Sequence, residues 1–158
     1  MQSTRQEHHA LTTYATEAAL VDDFVALLGG ENPWGKLIVG LEFDYQGGRT
    51  DVVAVSANGF VVAFEAKLER WRDALNQAYR NTCFAHRSYI VVPSETACRA
   101  ARYEREFLRR KVGLCCLKNG ILEVLFEPAQ VSPTLPWLSD RVTTFARTTS
   151  TRDIARRS

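Results

Sequence analysis

The sequence predicts a mixed α/β fold, a central sheet flanked by helices, with the element order αβββαβαββ. Short apolar runs bounded by turn residues alternate with longer segments that carry apolar side chains at helical spacing. Three of the short runs follow one another closely and the fourth arrives only after a helical segment, which favours antiparallel strands joined to a parallel one. A length of 158 residues suits one domain with a substantial core.

The first half of the chain predicts one helix and three strands. Residues 11–28 place apolar side chains at helical spacing, and Gly29-Gly30 ends this helix. The pair Asn58-Gly59 is a hairpin turn signal, so the second and third strands are expected to pair about it. The three strands are predicted over residues 36–45, 49–55 and 60–67.

The second half predicts two more helices and three more strands. The helices are predicted over residues 69–86 and 94–110, and the strands over residues 89–92, 112–117 and 121–126. Residues 1–127 are expected to form the domain. Residues 128–158 are expected to be a Pro-containing extension with a polar C-terminal segment that is either a weak helix or a mobile tail.

Composition favours a cytoplasmic protein without a membrane segment. No apolar run approaches the roughly 20 residues needed to span a bilayer, and the polar N-terminus lacks the features of a signal peptide. The four cysteines have no CxxC spacing and no companion histidine cluster, which predicts reduced thiols rather than a zinc site.

The net charge of +2 is unevenly distributed along the chain. Residues 1–65 carry 3 basic and 9 acidic side chains, whereas residues 66–118 carry 12 basic and 5 acidic ones. Arginine dominates the basic segment, and guanidinium groups bind phosphate oxygens bidentately. The segment therefore fits contacts with phosphate, although a solvated surface explains the charge equally well.

Three ionisable residues stand at the ends of the two apolar strands of the predicted hairpin. Asp51 begins one strand, and Glu65 and Lys67 end the other. Alternation along a strand puts Glu65 and Lys67 on one face, and pairing about the turn puts Asp51 across from residues near 66 or 67. Two close carboxylates in an apolar setting repel each other, and a divalent cation such as Mg²⁺ relieves that cost. The hairpin therefore predicts a metal-dependent hydrolytic site.

This pattern resembles the PD-(D/E)XK nuclease superfamily, which has the restriction-endonuclease-like fold. The stretch GRTD ends in Asp51, which matches the first acid of the motif, and EAK supplies Glu65 and Lys67. A (D/E)xK triplet alone is expected by chance roughly half a time in such a chain, but the apolar strands and the helix that follows make the full pattern more restrictive. The similarity covers about residues 11–92, with Thr50 where the motif has proline.

The resemblance implies a Mg²⁺-dependent deoxyribonuclease that leaves 5′-phosphate ends, with Mn²⁺ able to substitute. The expected metal ligands are Glu17, Asp51, Glu65 and the Ala66 carbonyl, with Glu42 and Asp44 in reserve. Lys67 would orient or activate the attacking water. Gln77, on the helix after the motif, resembles the glutamine that many members place beside the site.

Eight arginines are candidates for binding the backbone of a nucleic acid without reading its sequence. Four of them recur at helical spacing over residues 94–110 and are expected to line one side of that helix, although a solvated face explains them as well. The candidates are Arg49, Arg70, Arg72, Arg80, Arg99, Arg102, Arg105 and Arg109.

DNA, duplex or branched, is the expected partner, and two other classes of function stay open. The domain can be a non-cleaving nucleic-acid-binding or assembly subunit that keeps the nuclease fold, for example in a defence or mobile-element complex. An RNase or a structure-selective resolvase would use the same site on another substrate. Paired cuts on a duplex would require a homodimer with two symmetric sites.

Overall fold

The computed structural model describes residues 14–46 and 48–157, with side chains through residue 150. The helices are α1 (Glu17–Leu28), α2 (Trp71–Asn81), α3 (Ser94–Ala100), α4 (Glu104–Arg110) and α5 (Pro136–Arg157). The strands are β1 (Ile38–Tyr45), β2 (Gly48–Val55), β3 (Val61–Ala66), β4 (Arg87–Pro93), β5 (Val112–Lys118) and β6 (Ile121–Phe126). None of the described helices combines the length and the apolar character that crossing a membrane requires.

The six strands form one sheet in sequential order from β1 to β6. β1, β2 and β3 pair antiparallel, β3, β4 and β5 pair parallel, and β6 returns antiparallel to β5. The parallel pairs need crossover connections, which α2 and the α3–α4 segment provide. The arrangement confirms the predicted mixed sheet flanked by helices and the predicted order of elements as far as β6, after which α5 is an additional helix.

Helices cover both faces of the sheet. On one face α1 buries Leu20 and Phe24 against Phe64 of β3. On the other face α2 buries Leu75 against Ile90 of β4. Both sets of alternating side chains in the central strands therefore contact apolar layers, which explains why these strands are apolar throughout.

Residues 136–157 form a long helix, and its first part packs on the sheet. Leu138 and Val142 of α5 are buried in one cluster with apolar side chains of β2 and β3. The helix also crosses β1 closely at Gly40, where a Cβ atom would lie 2.9 Å from the Phe145 ring. Residues 136–150 thus contribute to the core of the sheet.

The helix predicted over residues 94–110 is interrupted. α3 ends at Ala100, a 3₁₀ turn spans Ala101–Tyr103, and α4 follows. Packing accounts for the break, since the Tyr103 ring contacts Trp71 with 5.1 Å between ring centroids while Phe107 is buried in the core. The expectation that four arginines line one side of a single continuous helix is therefore wrong.

Candidate active site

The end of the β2–β3 hairpin brings Asp51 and Glu65 together. Val52 lies opposite Phe64 in the ladder, and the same register one residue further places Asp51 opposite Glu65. The register predicted from a two-residue turn, which put Asp51 across from residue 66 or 67, is therefore wrong. The chain turns through the three residues 57–59, closed by a hydrogen bond from the Ser56 amide to the Phe60 carbonyl. Because opposite residues of an antiparallel pair point to one face, the two carboxylates are neighbours.

Asp51 is anchored to the end of β3 by a backbone hydrogen bond. Its Oδ2 accepts from the backbone N–H of Ala66 at an N···O distance of 2.8 Å. β3 ends at that residue, so the carboxylate contacts the strand where the regular β2–β3 ladder has stopped. The side chain of Asp51 is half-buried, and its position beside Glu65 is fixed by the main chain.

Glu65 is a buried carboxylate, and Asn81 donates a hydrogen bond to only one of its two oxygens. The residue is 1% exposed, and its Oε1 accepts a hydrogen bond of 2.8 Å from Asn81 Nδ2. Its Oε2 is buried and has no hydrogen-bond partner among the described residues. Burial raises the pKa of Glu65, and the charge of Asp51 raises it further, to about 8. The site thus contains a carboxyl group that holds a proton at neutral pH unless a cation replaces it.

Asn81 is a site residue that the sequence reasoning missed. It is the last residue of α2 and is 1% exposed. Its Oδ1 accepts hydrogen bonds from the Thr50 hydroxyl at 2.9 Å and from the Tyr45 hydroxyl at 3.0 Å, while its Nδ2 donates to Glu65. A signal was present, because Asn81 lies three residues after the apolar Ala78 on the core-facing stripe of the helix, where an amide needs buried partners.

Gln77 lies near Glu65. Both line a small cavity together with Arg49, Arg80 and Asn81. Gln77 Oε1 is buried and has no hydrogen-bond partner among the described residues. Two of the residues that line this cavity therefore each have a buried acceptor oxygen without a described donor, one from a carboxylate and one from an amide.

Lys67 and Glu65 contact helices on opposite faces of the sheet. Its Nζ lies 3.7 Å from Glu17 Oε1 on α1, whereas the Glu65 carboxylate binds Asn81 on α2. The expectation that Glu65 and Lys67 project together is therefore wrong, because β3 ends at Ala66 and strand alternation does not extend to Lys67. Both side chains nevertheless lie at the same end of β3.

Carboxylates also line a cavity of about 310 Å³ between α1 and the hairpin. Its acidic residues are Glu17, Asp22, Glu42 and Asp51, and Ala66 completes the edge toward β3. Within the described part of the chain, no group of three or more His, Cys, Asp or Glu side chains is arranged to hold a metal ion. The expected three-acid set is thus not assembled as one group.

The two hairpin carboxylates nevertheless fit a hard divalent cation. Mg²⁺ takes only one or two carboxylates from a protein, with waters and carbonyl oxygens filling its other positions. The buried Oε2 of Glu65 is unpartnered beside Asp51. A cation would neutralise both groups and satisfy that oxygen.

Comparisons with known proteins add a likeness of fold. No family model and no curated protein matches the chain. A solved structure of a protein of unknown function from Silicibacter pomeroyi is similar with a TM-score of 0.63 and 18% identity, over 90% of this chain and 91% of that one. A repair endonuclease from Pyrococcus abyssi is similar with a TM-score of 0.41 and 19% identity, over 68% of this chain and 49% of that one. The first likeness shows the fold alone, and the second carries no argument at that TM-score.

Three of the eight candidate arginines form ion pairs with nearby acids. Arg49 lies 3.8 Å from Asp44, and Arg70 lies 2.9 Å from Asp73. Arg72 pairs with Glu106 at 3.0 Å, and its guanidinium lies over the rings of Trp71 and Tyr103 at 4.3 and 4.4 Å. These contacts occupy much of the donor capacity of Arg72 in particular.

The other five candidates divide between the site and the outer surface. Arg80 lines the Glu65 cavity and also a second cavity, which it shares with Arg109. Arg99 donates a hydrogen bond of 3.3 Å to the Thr96 hydroxyl. Arg102 and Arg105 are exposed on the 3₁₀ turn and α4. The structure thus places Arg80 in the cavity that contains Glu65, and Arg109 of α4 in the second cavity that Arg80 also lines.

Proposed function

We propose that this chain is a metal-dependent endonuclease that hydrolyses DNA phosphodiester bonds. The observation that carries the proposal is the pair of adjacent carboxyl groups of Glu65 and Asp51: Glu65 is buried, its hydrogen bond with Asp51 requires a shared proton, and no other described donor reaches its Oε2. Such an arrangement is costly for stability, so a function that uses it accounts for its presence. The resemblance of the hairpin motifs to PD-(D/E)XK nucleases supports the same assignment.

The residues at the hairpin end would hold Mg²⁺, or Mn²⁺ in its place. Asp51 and Glu65 would supply carboxylate oxygens and Ala66 its carbonyl, and Glu17, which lines the cavity beside Asp51, would contribute through a bound water. When bound, the ion supplies an activated water and offsets negative charge on the phosphate.

The chain's own side chains would position the reactants. Lys67, held next to Glu17, supplies positive charge that orients the attacking water and offsets charge on the phosphate. Gln77, which lines the same cavity as Glu65, would help to position that water. Asn81 holds the Glu65 carboxylate in one orientation through its Nδ2 donor. Each role depends on geometry that exists before the substrate arrives.

A cleavage panel with matched lysine variants tests this proposal. Labelled single-stranded, duplex and branched DNA and RNA are incubated with Mg²⁺ or Mn²⁺ and the wild type, Asp51→Ala, Lys67→Ala or Lys118→Ala, the last an exposed lysine of β5. Lys67→Ala should abolish cleavage but preserve folding and DNA affinity, because a partly exposed ion pair contributes at most about 1 kcal/mol. Cleavage by purified Lys67→Ala at the wild-type rate would overturn the mechanism.

The alternative function, a non-cleaving nucleic-acid-binding or assembly subunit, gives a different result. The wild type would then cut none of the four substrates with either metal. Titration calorimetry separates the alternatives, because the nuclease should bind Mn²⁺ in a manner that depends on Asp51. Failure to bind either metal at millimolar concentration would favour the non-cleaving subunit.

A further inference from the structure

A basic cavity of about 550 Å³ lies between α2 and α4, next to the candidate active site. It is lined by Asn76, Tyr79, Arg80, Arg109 and Arg110. Three of these side chains are positively charged, and no carboxylate is among the described lining residues. Its volume is within the range of sites that bind small molecules or single nucleotide units.

Among the described residues, no acid forms an ion pair with the arginines of this cavity. Arg70 and Arg72, on the same helix or just before it, are each paired with an acid. By contrast, Arg80 and Arg109 form no ion pair within the described part of the chain, and Arg110 donates to the neutral amide of Asn76. Uncompensated arginines that share a concave surface favour an anionic ligand, and guanidinium groups suit phosphate.

The same cavity contains an exposed aromatic ring. Tyr79 is 53% exposed, and the Arg110 guanidinium lies 5.9 Å from its ring centroid. Proteins that hold single strands combine basic grooves with aromatic rings on which bases stack, and arginine adds a cation–π contribution. Bases inside a duplex are already stacked on their neighbours, so an aromatic ring of this kind selects unpaired bases.

Arg80 connects the basic cavity to the hairpin carboxylates. It lines the cavity that contains Glu65 and Gln77 as well as the cavity that contains Tyr79. A strand whose phosphate reached Glu65 would therefore place an adjacent nucleotide against Tyr79.

We propose that Tyr79, Arg80, Arg109 and Arg110 form a subsite for one unpaired deoxynucleotide of the strand that is cut. The arginines bind its phosphate, and the ring of Tyr79 stacks on its base. The substrate class is accordingly single-stranded DNA or a branched DNA with an unpaired segment. The inference rests on the proposed function, which supplies the cut at the neighbouring phosphate.

Fluorescence anisotropy in EDTA tests the subsite without any cleavage. The probes are a labelled oligo-dT of about 12 nucleotides, a duplex of equal length and an oligo-U. Tyr79→Ala should weaken oligo-dT binding about 5- to 100-fold, as expected for the loss of one stacked base, whereas Tyr79→Phe should stay within about twofold of the wild type. Duplex binding should change little in either variant. Arg80→Ala and Arg109→Ala should weaken binding of both DNAs and lower the salt dependence.

Two control variants remove an aromatic ring and an arginine at other places on the surface. Trp137→Ala removes a ring that is 55% exposed on α5. Arg141→Ala removes an arginine from a cavity that also contains Glu42, Asp44 and Asp140. Both should bind oligo-dT like the wild type. Equal oligo-dT affinity of Tyr79→Ala and the wild type would overturn the subsite, as would equal losses for oligo-dT and duplex, or a Tyr79-dependent preference for oligo-U over oligo-dT.

The binding and cleavage results separate this inference from the proposed function. If the wild type cuts DNA but Tyr79→Ala binds and cuts single strands normally, the proposed subsite is wrong and the proposed nuclease activity is supported. If Tyr79→Ala selectively loses oligo-dT binding but the wild type cuts no substrate, the nuclease is wrong and the unpaired-strand site stands.

Discussion

Asn81 donates a hydrogen bond of 2.8 Å to Glu65, and both side chains are buried. This bond joins the end of α2 to the strand that carries the motif acids. The Thr50 hydroxyl donates to Oδ1 of the same Asn81 amide, so β2 also helps to fix the position of this side chain. The carboxylate is therefore oriented by a helix and by the neighbouring strand before any ligand is present.

Replacement of Asn81 by alanine should lower the free energy of unfolding by about 1–3 kcal/mol, because buried polar groups lose their partner. The groups affected are the Glu65 carboxylate and the hydroxyls of Thr50 and Tyr45. Urea denaturation measures the change. Asn76→Ala, on the exposed face of the same helix, should stay within about 0.5 kcal/mol of the wild type. A loss no larger than that of Asn76→Ala would show that the amide network does not stabilise the fold.

The metal-free protein should lose stability as the pH rises from about 5 to 8. The folded state raises the pKa of Glu65 to about 8, so it keeps a proton that the unfolded chain has already released. Stability falls where the folded state binds more protons than the unfolded one, by up to about 1.4 kcal/mol per pH unit for one group. Urea unfolding in EDTA at several pH values measures this slope. Glu65→Gln should flatten it, and identical slopes in the two proteins would contradict the assignment.

Mn²⁺ should raise the melting temperature of the wild type because it binds only the folded site. A free concentration of 100 times Kd corresponds to about 2.7 kcal/mol. The increase should be larger at pH 8 than at pH 5.5, since protons compete for the Glu65 carboxylate. The double variant Asp51→Asn, Glu65→Gln should show no increase, whereas Glu123→Gln, an exposed acid of β6, should respond like the wild type. An equal increase in the double variant would place the metal elsewhere.

Leu138→Ala should destabilise the protein by about 2–5 kcal/mol, the usual cost of truncating a buried leucine. Leu138 is 2% exposed and packs with the hairpin strands through α5. The neighbouring Trp137→Ala removes a larger but exposed side chain and should have little effect. Chemical denaturation of both variants makes the comparison. Similar small effects would show that α5 is not part of the cooperative core.

The sequence predicted the fold because local signals agreed along most of the chain. Apolar runs separated by turns fixed the six strands, and the helix between the third and fourth strands predicted the parallel pairing. Two of the wrong predictions about the fold have a local physical cause. The continuous helix over residues 94–110 is broken because Tyr103 packs on Trp71. The hairpin register differs because the turn contains three residues, which the Asn58-Gly59 signal alone did not distinguish from two.

The sequence by itself determined that Asp51, Glu65 and Lys67 lie at one end of a buried hairpin, since strand length and turn position set that end. Tertiary structure decided what each of them contacts. Asn81 and Gln77 reach Glu65 only because α2 packs on that face of the sheet, and Lys67 pairs with Glu17 because α1 covers the other face. Such contacts join residues far apart in the chain, and local periodicity carries no information about which helix covers which face.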